Sequence, residues 1–427
     1  MSETIQIEEW QLSDELVLTK NDLDFLNNRV NGGKINSKIE IIPKGESQFQ
    51  LKATSWVGTV KIPNSHTIIV KPKVGNLNFI KMLVYAEDLE GIEFFDLVTA
   101  SEGEFLVDFM ARLFIQLIKP IAEEGIYKSY VTITEEIPSV KGRLLLAQNI
   151  RHPRLTHEKF WCEYDELSTD ILENQILLYC TKLFSVLVKN YSIRSDLHNF
   201  QSILESEGVS EIYLEPYHLD LISLQKMNEH YEQALKLCEF ILRFAWYHDF
   251  AKEETLPIYG FLYDMNELFQ NFVTKVVKET FPDYNVYKEP ANYDLLESIT
   301  VKESEEQFDT TRVRLLPDIV IEDKKSKTIL VIDTKYKESV TNNDIYQATA
   351  YSLTLECPVL LLVPQIYNRI QESFRIKPIY KKSAQIHIKS VDFSDTENYI
   401  EEMRRRISKE LTNTVQALNS SSELIEI

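Results

Sequence analysis

From Lys38 to Val74 apolar and polar residues alternate in short runs, KIEIIP, FQLKA, WVGTVKIP and TIIVKPKV, each bounded by Gly, Pro, Asn or Ser. A period of two closed by turn residues is the pattern of half-buried strands. The period then lengthens: NFIKMLVYAEDL and EFLVDFMARLFIQLIKPIAEEGI carry apolar residues at helical spacing, with Glu102 and Glu104 near the start of the second. A β-like stretch, SYVTITEEIPSVKGRLLL, leads into a helical region from about Glu166 to His248, where ILENQILLYCTKLFSVLVKN is apolar around most of its circumference. That is the pattern of a helix buried by several neighbours. KEETLPIYG, residues 252–260, combines a charged run with Pro257 and Gly260 and marks a boundary. Beyond it YGFLYDMNELFQNFVTKVVKETF predicts an amphipathic helix with Leu268, Phe269, Phe272, Val273, Val276 and Val277 as its buried stripe. Thr396 to Leu418 reads as an exposed helix, with a frayed SSSELIEI after it. The expected fold class is therefore a multidomain α+β and α/β chain. Residues 1–130 form a β-rich N-terminal module with helices, 131–255 a mostly helical middle region, and 256–427 a mixed sheet flanked by helices with a helical tail.

Composition narrows the functions open to such a chain. Apolar residues are 44% and charged residues 26% of 427, ordinary globular values that exclude wholesale disorder. Forty-six Lys and Arg against 66 Asp and Glu give a net charge of −20, which repels a polyanion or an anionic membrane surface. Any nucleic-acid contact must be local or supplied by a partner. Cys162, Cys180, Cys238 and Cys357 are far apart, so neither a zinc site nor a disulfide framework is expected, and a reducing cytoplasm fits. The acidic start MSETIQIEEW and the lack of any long uncharged apolar window predict a protein neither secreted nor membrane-spanning. No GxxxxGK[ST] loop is present, so no nucleotide is expected to bind this chain. His152, His157, His230 and His248 are scattered and receive no role.

The chemistry concentrates in RLLPDIVIEDKKSKTILVIDTKYKE, residues 314–338. Two β-branched runs flank the polar turn DKKSK, a hairpin signature. Pairing about that turn sets Asp318 nearly opposite Asp333. Asp333 and Lys335 share a face, while Thr334 points away and leaves its carbonyl as a ligand. Two facing carboxylates at the end of an apolar hairpin call for a cation between them, and a hard divalent ion, Mg²⁺ or Mn²⁺, suits oxygen ligands. Lys335 beside that ion could orient or deprotonate a water or neutralise a phosphorane-like transition state. A bare D-x-K at a strand end is more often a solvated gatekeeper, but here the hairpin context favours a site.

Pro317, Asp318, Asp333 and Lys335 resemble the P-D…D-x-K motif of the PD-(D/E)xK nuclease superfamily. Gln347 and Tyr351, one helical turn apart, resemble the QxxxY element of its RecB-like members, which implies a place near the active site and the DNA. Arg369, Arg375, Lys377, Lys381, Lys382 and Lys389, with only Glu372 opposing them, form a candidate phosphate-contacting strip.

Taken in order, WVGTVKIPNSHTIIVKPKVGNLNFIKMLVYAEDL, CEYDELSTDILENQILLYCTKL, FLYDMNELFQNFV, LLPDIVI, VIDTKYK and DIYQATAYS resemble the McrC family, the nuclease subunit of McrBC-type 5-methylcytosine restriction systems. The resemblance spans about Trp56 to Tyr351. It implies a Mg²⁺-dependent endonuclease that binds a hexameric AAA+ GTPase, stimulates its GTP hydrolysis and cuts double-stranded DNA after translocation, the partner reading the methylated base. It also implies an acid on the helix, where this sequence has Gln270; Glu267, three residues earlier, is the alternative metal ligand. A catalytically degenerate adaptor of an AAA+ motor and a stand-alone repair nuclease remain alternatives.

Overall fold

The computed structural model describes residues 4–32, 37–45, 47–62, 66–87, 106–151, 159–212, 218, 221, 230–246, 260–290, 293–294, 314–337, 339–365, 371–375, 385–392, 405, 408–409 and 412. Mixed sheets and helices confirm a multidomain α/β architecture. The charged run before Gly260, the basic residues Arg369, Lys377, Lys381 and Lys382, and most of the tail fall outside these residues.

The N-terminal sheet has four strands in the order Thr4–Glu8, Thr67–Lys71, Trp56–Lys61 and Gly260–Asp264. Its first strand, TIQIE, precedes the region read as β in the sequence; Ile7 is buried and pairs with Val70 in a parallel ladder. Its last strand comes from some 200 residues downstream, antiparallel to Trp56–Lys61 with Gly260 opposite Val60 and Asp264 opposite Trp56. Gly260 has φ 154°, and a Cβ there would lie 2.0 Å from the Thr59 carbonyl oxygen, so only glycine permits this approach. A smaller sheet of Leu16–Val17, Gln48–Ala53 and Ile39–Pro43 lies beside it.

The chain then forms the helix Leu106–Glu124 and a three-stranded sheet in which Ser129–Ile137 and Phe160–Ser168 pair along nine residues. The sequence reading began the helical region at Glu166, but Glu166 still pairs with Val131; the helix starts at Leu172. Leu172–Leu187, Tyr191–Ser206 and Glu232–Trp246 follow, and the first buries Ile176, Leu177, Cys180, Leu183 and Phe184 as its apolar circumference predicts.

After Asp264 caps it by accepting from the Asn266 N–H, the helix Met265–Thr280 presents Leu268, Phe269, Phe272, Val273, Val276 and Val277, all fully buried. Burial of each contributes about 1.5–3 kcal/mol. It packs on a six-stranded sheet ordered Asn285–Lys288, Ile319–Glu322, Thr328–Thr334, Val359–Gln365, Gln385–Asp392 and Gln371–Arg375. Alternation sorts the hairpin's two faces. Ile319, Ile321, Leu330 and Ile332 join the cluster that includes Phe269 and Phe272. Val320, Val331 and Leu361 join a second cluster with Ala348 and Tyr351 of the helix Asn342–Thr354, which carries the crossover to the parallel strand Val359–Gln365. Runs such as ILVI and VLLLV, apolar on both faces, are what a covered parallel interior requires. Among the described residues no helix is long and apolar enough to cross a membrane.

Candidate active site

The hairpin register is Ile319 opposite Ile332 and Val320 opposite Val331, which carries Asp318 to Asp333 at its open end. A bulge at Ile321/Glu322 lies near the turn and leaves the open end in phase. Asp318 is half-buried, and its Oδ2 accepts from both the N–H and the Oγ1–H of Thr334, each at 2.7 Å. Those two charge-assisted bonds fix the carboxylate against the neighbouring strand. Asp333 is 0% exposed. Its Oδ2 lies 2.8 Å from Lys335 Nζ, and its Oδ1 is buried without a hydrogen-bond donor.

Burial first, and then the negative charge of Asp318, push the Asp333 carboxyl from its ordinary 3.8 up to about 6, against the opposing pull of Lys335. An orphaned carboxylate oxygen in a fully buried position beside a second carboxylate is the donor set a hard divalent cation takes. Asp318 and Asp333 therefore fit a metal ion. Among the described residues, no group of three or more His, Cys, Asp and Glu is gathered to hold one. Glu267 is exposed on its helix.

Gln270 is buried, and its Nε2 donates to Glu289 Oε1 at 2.9 Å. Glu289 in turn donates its backbone N–H to the Asp318 carbonyl at 2.8 Å from a left-handed conformation, φ 48°. The sequence reading missed Glu289. Its signal was the K-E-P turn at the end of the strand preceding the hairpin.

Tyr351 is 1% exposed and donates its hydroxyl to the Leu316 carbonyl at 2.8 Å, while exposed Gln347 donates to that hydroxyl at 2.7 Å. The pair anchors the chain two residues before Asp318. Burial, then the charge of Asp333, raise the Tyr351 hydroxyl, which stays protonated. Arg369, Lys377, Lys381 and Lys382 lie outside the described residues. Arg375 ends the strand Gln371–Arg375, whose side chains are likewise outside them, and Lys389 is half-buried on Gln385–Asp392.

Residues 51–363 match the family model described as "McrBC 5-methylcytosine restriction system component". The chain belongs to this McrBC family. A curated Escherichia coli K12 protein, "Type IV methyl-directed restriction enzyme EcoKMcrBC", is 24% identical over 334 residues, 72% of this chain and 90% of that protein. A chain in a refined half-complex from the tetradecameric assembly of Thermococcus gammatolerans McrB AAA+ hexamers with bound McrC shares the fold. It superposes with TM-score 0.65 at 18% identity over 95% of this chain and 99% of that one. The McrBC match begins at Leu51 and ends at Val363, so it takes in three of the four strands of the N-terminal sheet, the hairpin and most of the crossover strand.

Proposed function

We propose that this McrBC component is a Mg²⁺- or Mn²⁺-dependent DNA endonuclease subunit of the PD-(D/E)xK type. The observation that carries the reading is the buried Asp333 carboxylate, with one oxygen orphaned, beside Asp318 and ion-paired to Lys335. A divalent ion held by Asp318 and Asp333, with the Thr334 main-chain carbonyl and Glu267 as proposed further ligands, would polarise the scissile phosphoryl group. Thr334 holds Asp318 in a single orientation, so the two carboxylates need no reorganisation. Lys335, 20% exposed, keeps a cation at the mouth of the site, where it can donate to a phosphate oxygen as negative charge develops there. Gln347 and Tyr351 support this arrangement from below, and Arg369, Arg375, Lys377, Lys381 and Lys382 are proposed phosphate contacts.

The proposed partner is a hexameric AAA+ GTPase like the McrB of the T. gammatolerans assembly, which would read the methylated base and deliver double-stranded DNA to this acidic subunit. The N-terminal module, residues 1–130, is proposed to bind it. A chain of net charge −20 needs such delivery. The three-stranded sheet that follows the module offers the ring a further apolar contact: Tyr130 and Leu167 face each other across the ladder at 73% and 53% exposure. The setting is proposed to be cytoplasmic. The adaptor reading is favoured by one observation, the lack of a third carboxylate gathered with the pair among the described residues.

The test is cleavage of cytosine-methylated plasmid by this chain and its neighbouring AAA+ subunit with GTP and Mg²⁺. Wild type should cut, Asp333→Ala and Lys335→Ala should not, and all three should stimulate GTP hydrolysis equally. Stimulation without cleavage by wild type under any metal or methylation state would establish the adaptor.

A further inference from the structure

A cleft of about 520 Å³ opens beside Lys335 and is walled by both halves of the chain. Trp10 and Lys73 come from the N-terminal module; Lys335, Tyr336 and Lys337 come from the segment that leaves the hairpin. The two walls are tied together by one buried carboxyl group. Glu9 is 0% exposed, and its Oε2 accepts from the Lys73 N–H at 2.7 Å and from the Tyr336 hydroxyl at 3.0 Å. Tyr336 adjoins Lys335, so the position of the Lys73 wall is fixed relative to the catalytic cation through two hydrogen bonds to a single side chain.

Trp10 is the second feature of note. It sits in the tight turn Glu8–Gln11 with φ 64°, a left-handed conformation costly for a bulky residue, and is held there by donating its N–H to the Ala53 carbonyl at 3.1 Å. The surrounding structure thus keeps 43% of a large aromatic exposed at the cleft's edge rather than packing it into the core. Three lysines, Lys73, Lys335 and Lys337, line the cleft. Lys335 and Lys337 are ion-paired, to Asp333 and Asp344 respectively. Lysine ammonium groups beside an indole, next to the proposed phosphodiester-cleaving group, suit one ligand class: a nucleotide unit with its phosphate on lysine and its sugar or base on the ring.

We propose that this cleft seats one nucleotide of the DNA strand beside the scissile phosphodiester, with Lys73 at a backbone phosphate and Trp10 against the adjoining sugar and base. The inference rests on the nuclease reading above and adds a contact from the N-terminal module. DNA would then bridge the two halves that Glu9 ties together, and the module would position the substrate strand.

The test uses the full chain with its AAA+ partner, a fluorescein-labelled cytosine-methylated duplex, a slowly hydrolysed GTP analogue and Ca²⁺ in place of Mg²⁺. Binding is then read without cleavage. Trp10→Ala should weaken binding about tenfold, with the salt dependence unchanged, because stacking releases no counterion. Trp10→Phe should restore much of the loss. Lys73→Gln should flatten the plot of log affinity against log salt by about 0.9, the signature of one lost phosphate contact. Melting curves should match wild type for all three variants, since Trp10 is exposed at the rim and Lys73 is only half-buried. Wild-type affinity and wild-type salt slope in both Trp10→Ala and Lys73→Gln would overturn the cleft assignment. Cleavage by the Asp333→Ala complex under Mg²⁺ would instead overturn the nuclease reading, so the two failures are separable.

Discussion

Replacing Asp333 with Asn should make the metal-free protein more stable while abolishing cleavage. In the folded chain this carboxyl titrates at about 6 rather than 3.8, because burial and Asp318 disfavour its anion by more than Lys335 favours it. At 1.36 kcal/mol per pH unit, the ionised group costs the native state about 3 kcal/mol. The folded state here binds the proton more tightly than the unfolded one. Below about pH 4 both states are protonated and the penalty is nil; stability falls as pH rises from about 4 to about 6, and above that the full penalty stands. Asn approximates the neutral acid, so its advantage should be complete at pH 7.5 and vanish near pH 4. For a chain of this length the unfolding entropy is about 0.9 kcal/mol/K, so the advantage amounts to a Tm about 3 °C higher. The assay is thermal melting in chelator at a series of pH values, repeated in millimolar Mg²⁺. Added Mg²⁺ should raise the Tm of wild type and leave Asp333→Asn unmoved, since only the carboxylate rewards the ion. A variant that melts below wild type at pH 7.5 in chelator would refute the reasoning, because the orphaned anion would then not be a source of strain.

Lys335→Met should end cleavage and also destabilise the metal-free chain by about 3 kcal/mol, since it leaves Asp333 buried without its cation; urea titration should show that adding Asp333→Asn recovers most of that loss. Gly260→Ala should cost at least about 2 kcal/mol, because its Cβ meets the Thr59 carbonyl at 2.0 Å, and an unchanged urea midpoint would argue against the strand pairing. Tyr351→Phe removes the donor to the Leu316 carbonyl and should lower stability by about 1 kcal/mol, with a measurable drop in kcat as the approach to Asp318 loosens.

The hairpin was legible because three independent signals coincided: β-branched runs, a polar turn, and charges spaced symmetrically about it. The register that pairs Ile319 with Ile332 is the one those signals require. The stripe of the helix Met265–Thr280 was equally plain, as periodicity in a helix is a local property. What could not be read was anything depending on distant segments. Nothing in GFLYD says that it pairs with Trp56–Lys61, and nothing in IEEW says that Glu9 will be buried against Tyr336. The destination of Gln270 was hidden for the same reason: its partner Glu289 is placed by a strand-end turn rather than by helical spacing. Alternation was also misread where it was short. Thr4–Glu8 has only two apolar positions, and Glu166 to Ser168 is the exposed end of a nine-residue ladder.

The strand Gly260–Asp264 has a further consequence, for synthesis. The edge presented by Trp56–Lys61 emerges from the ribosome some 200 residues before its partner does. At about 5–20 residues per second, the apolar strand therefore stands open for roughly 10–40 s, long compared with hairpin formation in microseconds. During that interval it is a template for pairing with another nascent chain. Every molecule made must pass through this window before the helix Met265–Thr280 can dock. The arrival of Gly260–Asp264 both closes the N-terminal sheet and delivers the helix Met265–Thr280 to the six-stranded sheet, so the half proposed to cleave cannot mature ahead of the half proposed to bind the motor.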